Sequence, residues 1–202
     1  MDIDPMESAT GAEELSAQPD RARARLNTRV ALTVALLATF LGVCKVKDDN
    51  IVQAMQQAQA DKLDHWNFYQ ARNIRQEVAA AAVTQLKLAA AGASAAQQEG
   101  YRAAIASYEA IVVDQTKKKE DLRLQAEQDQ RTYDALNYRD DQFDLSDAMI
   151  ALAISLLALT ALTHKPWLYN LALVATVGGV VMGLAGLLGW HLHPDALSRA
   201  LS

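Results

Sequence analysis

Two groups of carboxylates stand beside apolar runs in this chain: Asp48 and Asp49 just after the first run, and Asp140, Asp141, Asp144 and Asp147 just before the second. If the helices that carry them return to one end of the molecule, six acidic side chains meet at one level. Such a set suits two kinds of chemistry. Hard cations such as calcium take oxygen ligands, and carboxylate rings at a pore mouth concentrate permeant cations. A structural use is equally open, because Asp144 or Ser146 can cap the first free amides of a helix starting near Ala148, where carboxylates also suit the helix dipole. Lys45, Lys47 and Arg139 partly offset the acidic charge.

A second concentration of chemistry-bearing residues is Trp66, Phe68 and Tyr69 with Arg72 and Arg75. Trp66 and Tyr69 lie on neighbouring helical positions, so the group reads as a seam anchor against a returning helix near Leu122 to Ala126, or as a docking surface, where Trp, Tyr and Arg are favoured. The run Lys117, Lys118 and Lys119 reads as a solvated face with one residue turned inward. His191 and His193 lack a third ligand beyond Asp195 and read as interfacial polar residues, not a metal site. The chain has no Gly-rich phosphate loop, no Ser/His/Asp or Cys/His set that helical packing would gather, and no carboxylate pair inside an apolar run. No catalytic residue, cofactor or metal is therefore expected. A net charge of -5 excludes the broad positive surface that a nucleic-acid partner requires. The single cysteine, Cys44, has no partner for an internal disulfide.

With 9 Gly and 4 Pro in 202 residues and abundant Ala, Leu and Gln, the elements that must position these groups are helices, and an all-α fold is expected. A mean hydropathy of -0.04 hides sharp segregation of apolar from charged stretches. Residues 1–28 read as a disordered acidic tail with a basic end at Arg21, Arg23, Arg25 and Arg29. Residues 29–46 read as a first transmembrane helix, short for the task, 144–164 as a second and 167–190 as a third, with Trp167, Tyr169 and Trp190 as interfacial anchors. Between them, 47–143 reads as a long antiparallel coiled-coil-like helical hairpin with its tip near 92–100. Its first half carries Ile51, Val52, Met55, Ala58, Leu63, Trp66, Ile74, Val78 and Ala81 at helical spacing. Its second half carries Tyr101, Ile105, Tyr108, Val112, Leu122, Ala126, Tyr133, Leu136 and Phe143, with Gln115, Lys119 and Asp129 intruding on the seam. Residues 191–202 form a short C-terminal tail, expected to be an interfacial helix from about Pro194.

Each apolar run carries small residues at helical spacing: Ala31, Ala35, Ala38 and Gly42 in the first, Ala148, Ala151, Ser155 and Ala158 in the second, Ala172, Ala175, Gly179, Gly183 and Gly186 in the third. Close approach at small residues is how helices associate in lipid. Packing within one chain, between chains, or both, is open. Four arginines precede the first run and only Lys45 and Lys47 follow it closely, which favours a cytoplasmic N-terminus and a periplasmic arm, with Lys165 again cytoplasmic.

The stretch Asp64-His-Trp-Asn-Phe-Tyr-Gln-Ala-Arg-Asn-Ile-Arg75 resembles an uncharacterised family of small bacterial membrane proteins known only as a domain of unknown function. Its Trp-x-x-Tyr/Phe-Gln-Ala-Lys-x-Ile-Lys pattern is matched by Trp66, Tyr69, Gln70, Ala71, Ile74 and Arg75, with Arg72 where lysine is usual. The stretch from Phe143 and the paired apolar runs behind it are similar as well, so the likeness covers about Lys45 to Trp190. The resemblance implies a bacterial inner-membrane protein and carries no activity with it. The expected function is a non-enzymatic inner-membrane scaffold in contact with membrane lipid, forming a homo-oligomer and presenting its arm to a protein partner. The competing expectation is a pore-forming or transport-accessory oligomer with the aspartates as its vestibule.

Overall fold

The computed structural model describes the backbone of residues 5–190 and 192, and side chains from residue 21 onward. The expectations for a disordered N-terminal tail, for His191 and His193, and for a helix near Pro194 fall wholly or partly outside these residues. The described residues are helical with no strand: α1 (Pro5–Ala91), α2 (Ala95–Thr163) and α3 (Pro166–Leu188). Each of the three contains a stretch long and apolar enough to cross a membrane.

Two expected helix boundaries are corrected. No helix starts near Ala148, because α2 runs unbroken through residues 140–148. Between Tyr101 and Thr163 the sequence has neither Gly nor Pro, and aspartate costs a helix interior well under about 1 kcal/mol, too little to interrupt it. The break at the far end is also shorter than the expected span from Gly92 to Gly100: α1 ends at Ala91 and α2 begins at Ala95. There Ser94 and Gln97 form a capping pair, in which the Ser94 amide donates to Gln97 Oε1 at 3.2 Å and the Gln97 amide donates to the Ser94 carbonyl at 2.9 Å. Gly100 is simply an interior residue of α2.

The chain divides into two compact units, one made of residues up to Ile51 together with those from Tyr138, the other of Val52–Asn137. In the first, Val30 and Leu37 of α1, Ile150, Ala153 and Leu157 of α2, and Ala172 and Ala175 of α3 make one core. The small residues of α3 set the helix spacing. A Cβ on Gly179 would stand 2.7 Å from Ile150 Cγ1, one on Gly183 2.7 Å from Phe40 Cε1, and one on Gly186 2.8 Å from Phe143 Cζ. The small residues of the other two helices do something else. Ala31, Ala35, Ala38 and Gly42 of α1, and Ala148, Ala151, Ser155 and Ala158 of α2, are all exposed.

In the second unit, α1 and α2 run antiparallel, Lys62 meeting Gln130, Asn73 meeting Lys119, and Lys87 meeting Glu109. Of the expected apolar face of the first half, Ile51, Met55 and Ala58 are buried and Val52 and Trp66 half-buried, but Leu63, Ile74, Val78 and Ala81 are corrected to exposed, Ile74 and Val78 at 63% and 64%. From Met55 onward the half-buried or buried residues include Met55, Ala58, Lys62, His65, Tyr69, Arg72, Gln76, Ala79, Val83 and Leu86, an unbroken three-four alternation. That stripe wins because its partner on α2 is the matching series from Ile105 to Leu136, and the two must keep one register.

Candidate functional site

Within the first unit the carboxylate cluster is assembled by helix geometry. Asp48 lies one turn beyond Cys44 on the inner face of α1, and Asp140, Asp144 and Asp147 recur at three-four spacing on α2. Asp48 is only 4% exposed. Lys45 Nζ donates to its Oδ2 at 2.7 Å, while its Oδ1 is buried with no donor from an amide, hydroxyl or cation among the described residues. The Asp140 carboxyl lies within reach of Asp48, and two carboxyl groups can hydrogen-bond only when one of them carries a proton. Burial, this bond and the neighbouring charges of Asp144, Asp48 and Asp141 push Asp140 up to about 6. Two carboxylates in contact share one proton more readily than they hold two charges.

Of the sequence-derived acidic set, the structure thus brings Asp48, Asp140, Asp144 and Asp147 into one electrostatic group. Asp141 is half-buried at its edge. Asp49 turns outward, 3.6 Å from Lys45 and mostly exposed. No group of three or more His, Cys, Asp or Glu among the described residues is arranged to hold a metal ion. The cluster can therefore store a proton, and the cation paired with it is Lys45.

Three neighbours of the cluster were not legible as functional and prove to fasten α3. Arg139 Nη2 donates to the Gly186 carbonyl at 2.8 Å, a cation at the negative end of a helix. Gln142, fully buried, donates to the carbonyls of Trp190 and Leu192, each at 2.8 Å. Ser146 Oγ, expected as a helix cap, donates to the Gly179 carbonyl at 2.8 Å instead. Helix C-termini leave carbonyls unsatisfied, and α3 ends at Gly189 with a left-handed φ of 70°, its amide returning to the Ala185 carbonyl. The only sequence signal was a cluster of polar residues placed one helix-length from a glycine-terminated apolar run.

In the second unit Trp66 and Tyr69 meet edge-on with ring centres 5.3 Å apart, and Lys119 Nζ lies 5.7 Å from the Tyr69 ring. Arg72 Nη1 donates to Gln115 Oε1 at 3.3 Å. Trp66, Tyr69 and Arg72 are half-buried in the seam, whereas Arg75 and Phe68 are exposed. Sequence reading missed His65, whose Nδ1 lies 2.7 Å from Asp129 Oδ2, and Lys62 and Asn73. Continuing the three-four steps from Met55 and Ala58 would have found Lys62 and His65, whereas half-buried Asn73 lies beside that stripe, next to Arg72, where none of those steps falls. Among the membrane-packing candidates, Gly179, Gly183 and Gly186 are buried against neighbours, while Gly42, Ala151 and Ser155 are not.

These features define an all-helical protein whose three long helices are each apolar enough over one stretch to cross a membrane. The chain belongs to the family described as a domain of unknown function, DUF4337, whose model matches residues 26–189. Neither a search of characterised proteins nor one of solved structures found a match to the chain.

Proposed function

We propose that this protein is a multi-pass protein of the bacterial inner membrane, anchored by three transmembrane helices, whose second unit is a coiled-coil-like hairpin, and that it acts as a non-enzymatic scaffold by self-association. The observation that carries this reading is the outward direction of two small-residue stripes. Within one chain, the glycines of α3 complete the packing, yet α1 and α2 keep Ala31, Ala35, Ala38 and Gly42, and Ala148, Ala151, Ser155 and Ala158, on exposed faces where larger apolar residues would serve lipid equally well. A Cβ on Gly42 would meet nothing within 4 Å. Small residues with nothing to fit inside the chain suit a second copy. Outward Phe68, Ile74, Val78 and Leu88 give the hairpin an apolar surface for a protein partner.

The test is sedimentation of detergent-solubilised chain with Gly42→Leu and Ala151→Leu beside it. The scaffold reading expects an oligomer that either substitution weakens, and a monomer at every concentration would sink it. The arginines ahead of α1's apolar stretch and Lys165 in the α2–α3 turn support a cytoplasmic N-terminus and a periplasmic hairpin. Labelling a cysteine placed at Gly92, in a Cys44→Ala background, from either side of the membrane checks it. The grouping of Asp48, Asp140, Asp144 and Asp147 supports a second reading, a pore or transport accessory with an acidic vestibule. Cation conductance in reconstituted membranes that drops on Asp144→Asn with Asp147→Asn is its expected signature, and absent conductance removes it.

A further inference from the structure

At the end of the first unit remote from the carboxylates, residues of α1 and the α2–α3 turn line an open cavity of about 330 Å³, formed by Arg23, Arg25, Arg29, His164 and Pro166 with small and apolar neighbours. No carboxylate among the described residues lines it. Arg23 is already engaged within the chain, so the charge available to a ligand comes from Arg25 and Arg29, one turn apart on α1. Pro166 is the first residue of α3, and Lys165 ahead of it makes no side-chain cap, which leaves the positive end of that helix at the same place.

His164 supplies an independent sign of a ligand. It holds φ at 55°, the left-handed position after a helix where glycine is usual, and its amide donates to the Thr160 carbonyl at 2.8 Å. A side chain there costs about 1 kcal/mol relative to glycine, and what it adds is an imidazole whose Nδ1 is buried with no hydrogen-bond partner among the described residues. His164 thus adds to the wall that holds Arg25 and Arg29 a ring whose hydrogen-bonding capacity is not used up within the described residues.

We propose that this cavity binds the phosphate of an anionic glycerophospholipid headgroup, Arg25 and Arg29 pairing with its charge and His164 donating a hydrogen bond to a phosphate oxygen. The lipid assignment rests on the membrane reading above: a short turn between two membrane helices, and arginines just ahead of a third, both lie at headgroup depth, where basic pockets between helices take up anionic lipid. Free phosphate shares the chemistry, and the glycerol of a lipid accounts for the room left beside it.

The test uses the full-length chain in mild detergent, with bound phosphatidylglycerol or phosphatidylcholine counted by native mass spectrometry. Phosphatidylglycerol is expected to be retained in preference. Arg25→Gln with Arg29→Gln should weaken it about 30-fold, from about 1 kcal/mol per basic residue, while Arg25→Lys with Arg29→Lys retains most of the affinity. His164→Gly relieves the backbone strain and raises thermal stability, yet lowers lipid affinity several-fold. Equal retention of the two lipids, an unchanged preference in the glutamine variant, or a His164→Gly chain that binds like the original overturns the proposal. Stabilisation by inorganic phosphate without any by phosphatidylglycerol overturns the lipid assignment. A chain that stays soluble and monodisperse without detergent refutes the membrane reading separately, and circular dichroism checks that each variant is folded.

Discussion

The two units solve the same problem, holding helices side by side, with opposite chemistry. In the first, backbones approach until a single methyl group would collide, and the half-buried Arg139 and the buried Gln142 and Ser146 turn to backbone carbonyls. In the second, the seam combines buried Met55, Ala58, Ala79 and Ala126 with long polar side chains that pair with one another across it, Lys62 with Gln130, His65 with Asp129, Asn73 with Lys119. Close packing tolerates no added volume. A polar seam tolerates it well, but each of its pairs is weak because water competes. The lesson is that fragility and specificity are unevenly placed in this chain: shape specifies the first unit, and register specifies the second.

The sharpest way to break that contrast is volume. Gly179→Leu drives a side chain into Ile150 and into the backbone at Ser146, and should destabilise the first unit by about 2–3 kcal/mol, read as a lowered Tm in detergent. Gly42→Leu, with nothing nearby, should leave the Tm of dilute protein unchanged. Equal effects of the two would mean that α3 does not set the spacing.

Next in size is the fastening of α3. Arg139→Ala frees the Gly186 carbonyl and Gln142→Leu frees two more, each costing about 1–3 kcal/mol because the acceptors are partly or wholly removed from water. Thermal unfolding followed by tryptophan emission, to which Trp190 contributes, measures it.

The seam should respond in the opposite sense. Asn73→Leu combined with Lys119→Leu replaces a half-buried polar pair by an apolar one and should stabilise the second unit by about 1 kcal/mol or more. The His65→Ala and Asp129→Ala double-mutant cycle should give a coupling of only about 0.5–1 kcal/mol, since the two side chains are 28% and 21% exposed. Chemical denaturation of the full chain reads both.

The smallest expected effect is on pH. Asp140 is held near 6 against an ordinary 3.8, so the folded chain binds more protons than the unfolded one between those values. Its contribution to stability is fully present below about 3.8 and is lost as pH rises through about 6. Asp140→Asn should flatten the dependence of Tm on pH in that window and leave the protein slightly more stable at pH 7. An unchanged pH profile would show that the carboxyl is not pressed against Asp48.

The three apolar stretches, the helical fold and the carboxylate groups flanking the first two stretches are visible because composition and spacing act locally. The seam of the second unit was read correctly at Met55, Ala58 and Trp66 but drifted off it at Leu63, Ile74 and Val78, which carry the apolar periodicity while Lys62, His65 and Arg72 carry the contact. Apolar periodicity finds a buried face only when burial is what the face is for. The aspartates ahead of Ala148 looked like caps because cap formers and cluster formers are the same residue types.

By itself the sequence determined that the described residues are helix nearly throughout, where breaks could fall, and which stretches are apolar enough to cross a membrane, because backbone propensity and side-chain transfer free energy belong to residues one at a time. Only the tertiary structure decided which of three small-residue stripes is filled, that Asp140 rests against Asp48, and that His164 with Arg25 and Arg29 walls a cavity. Those are relations between segments far apart in the chain, settled by how closely particular surfaces can approach, and no local pattern of residues encodes that distance.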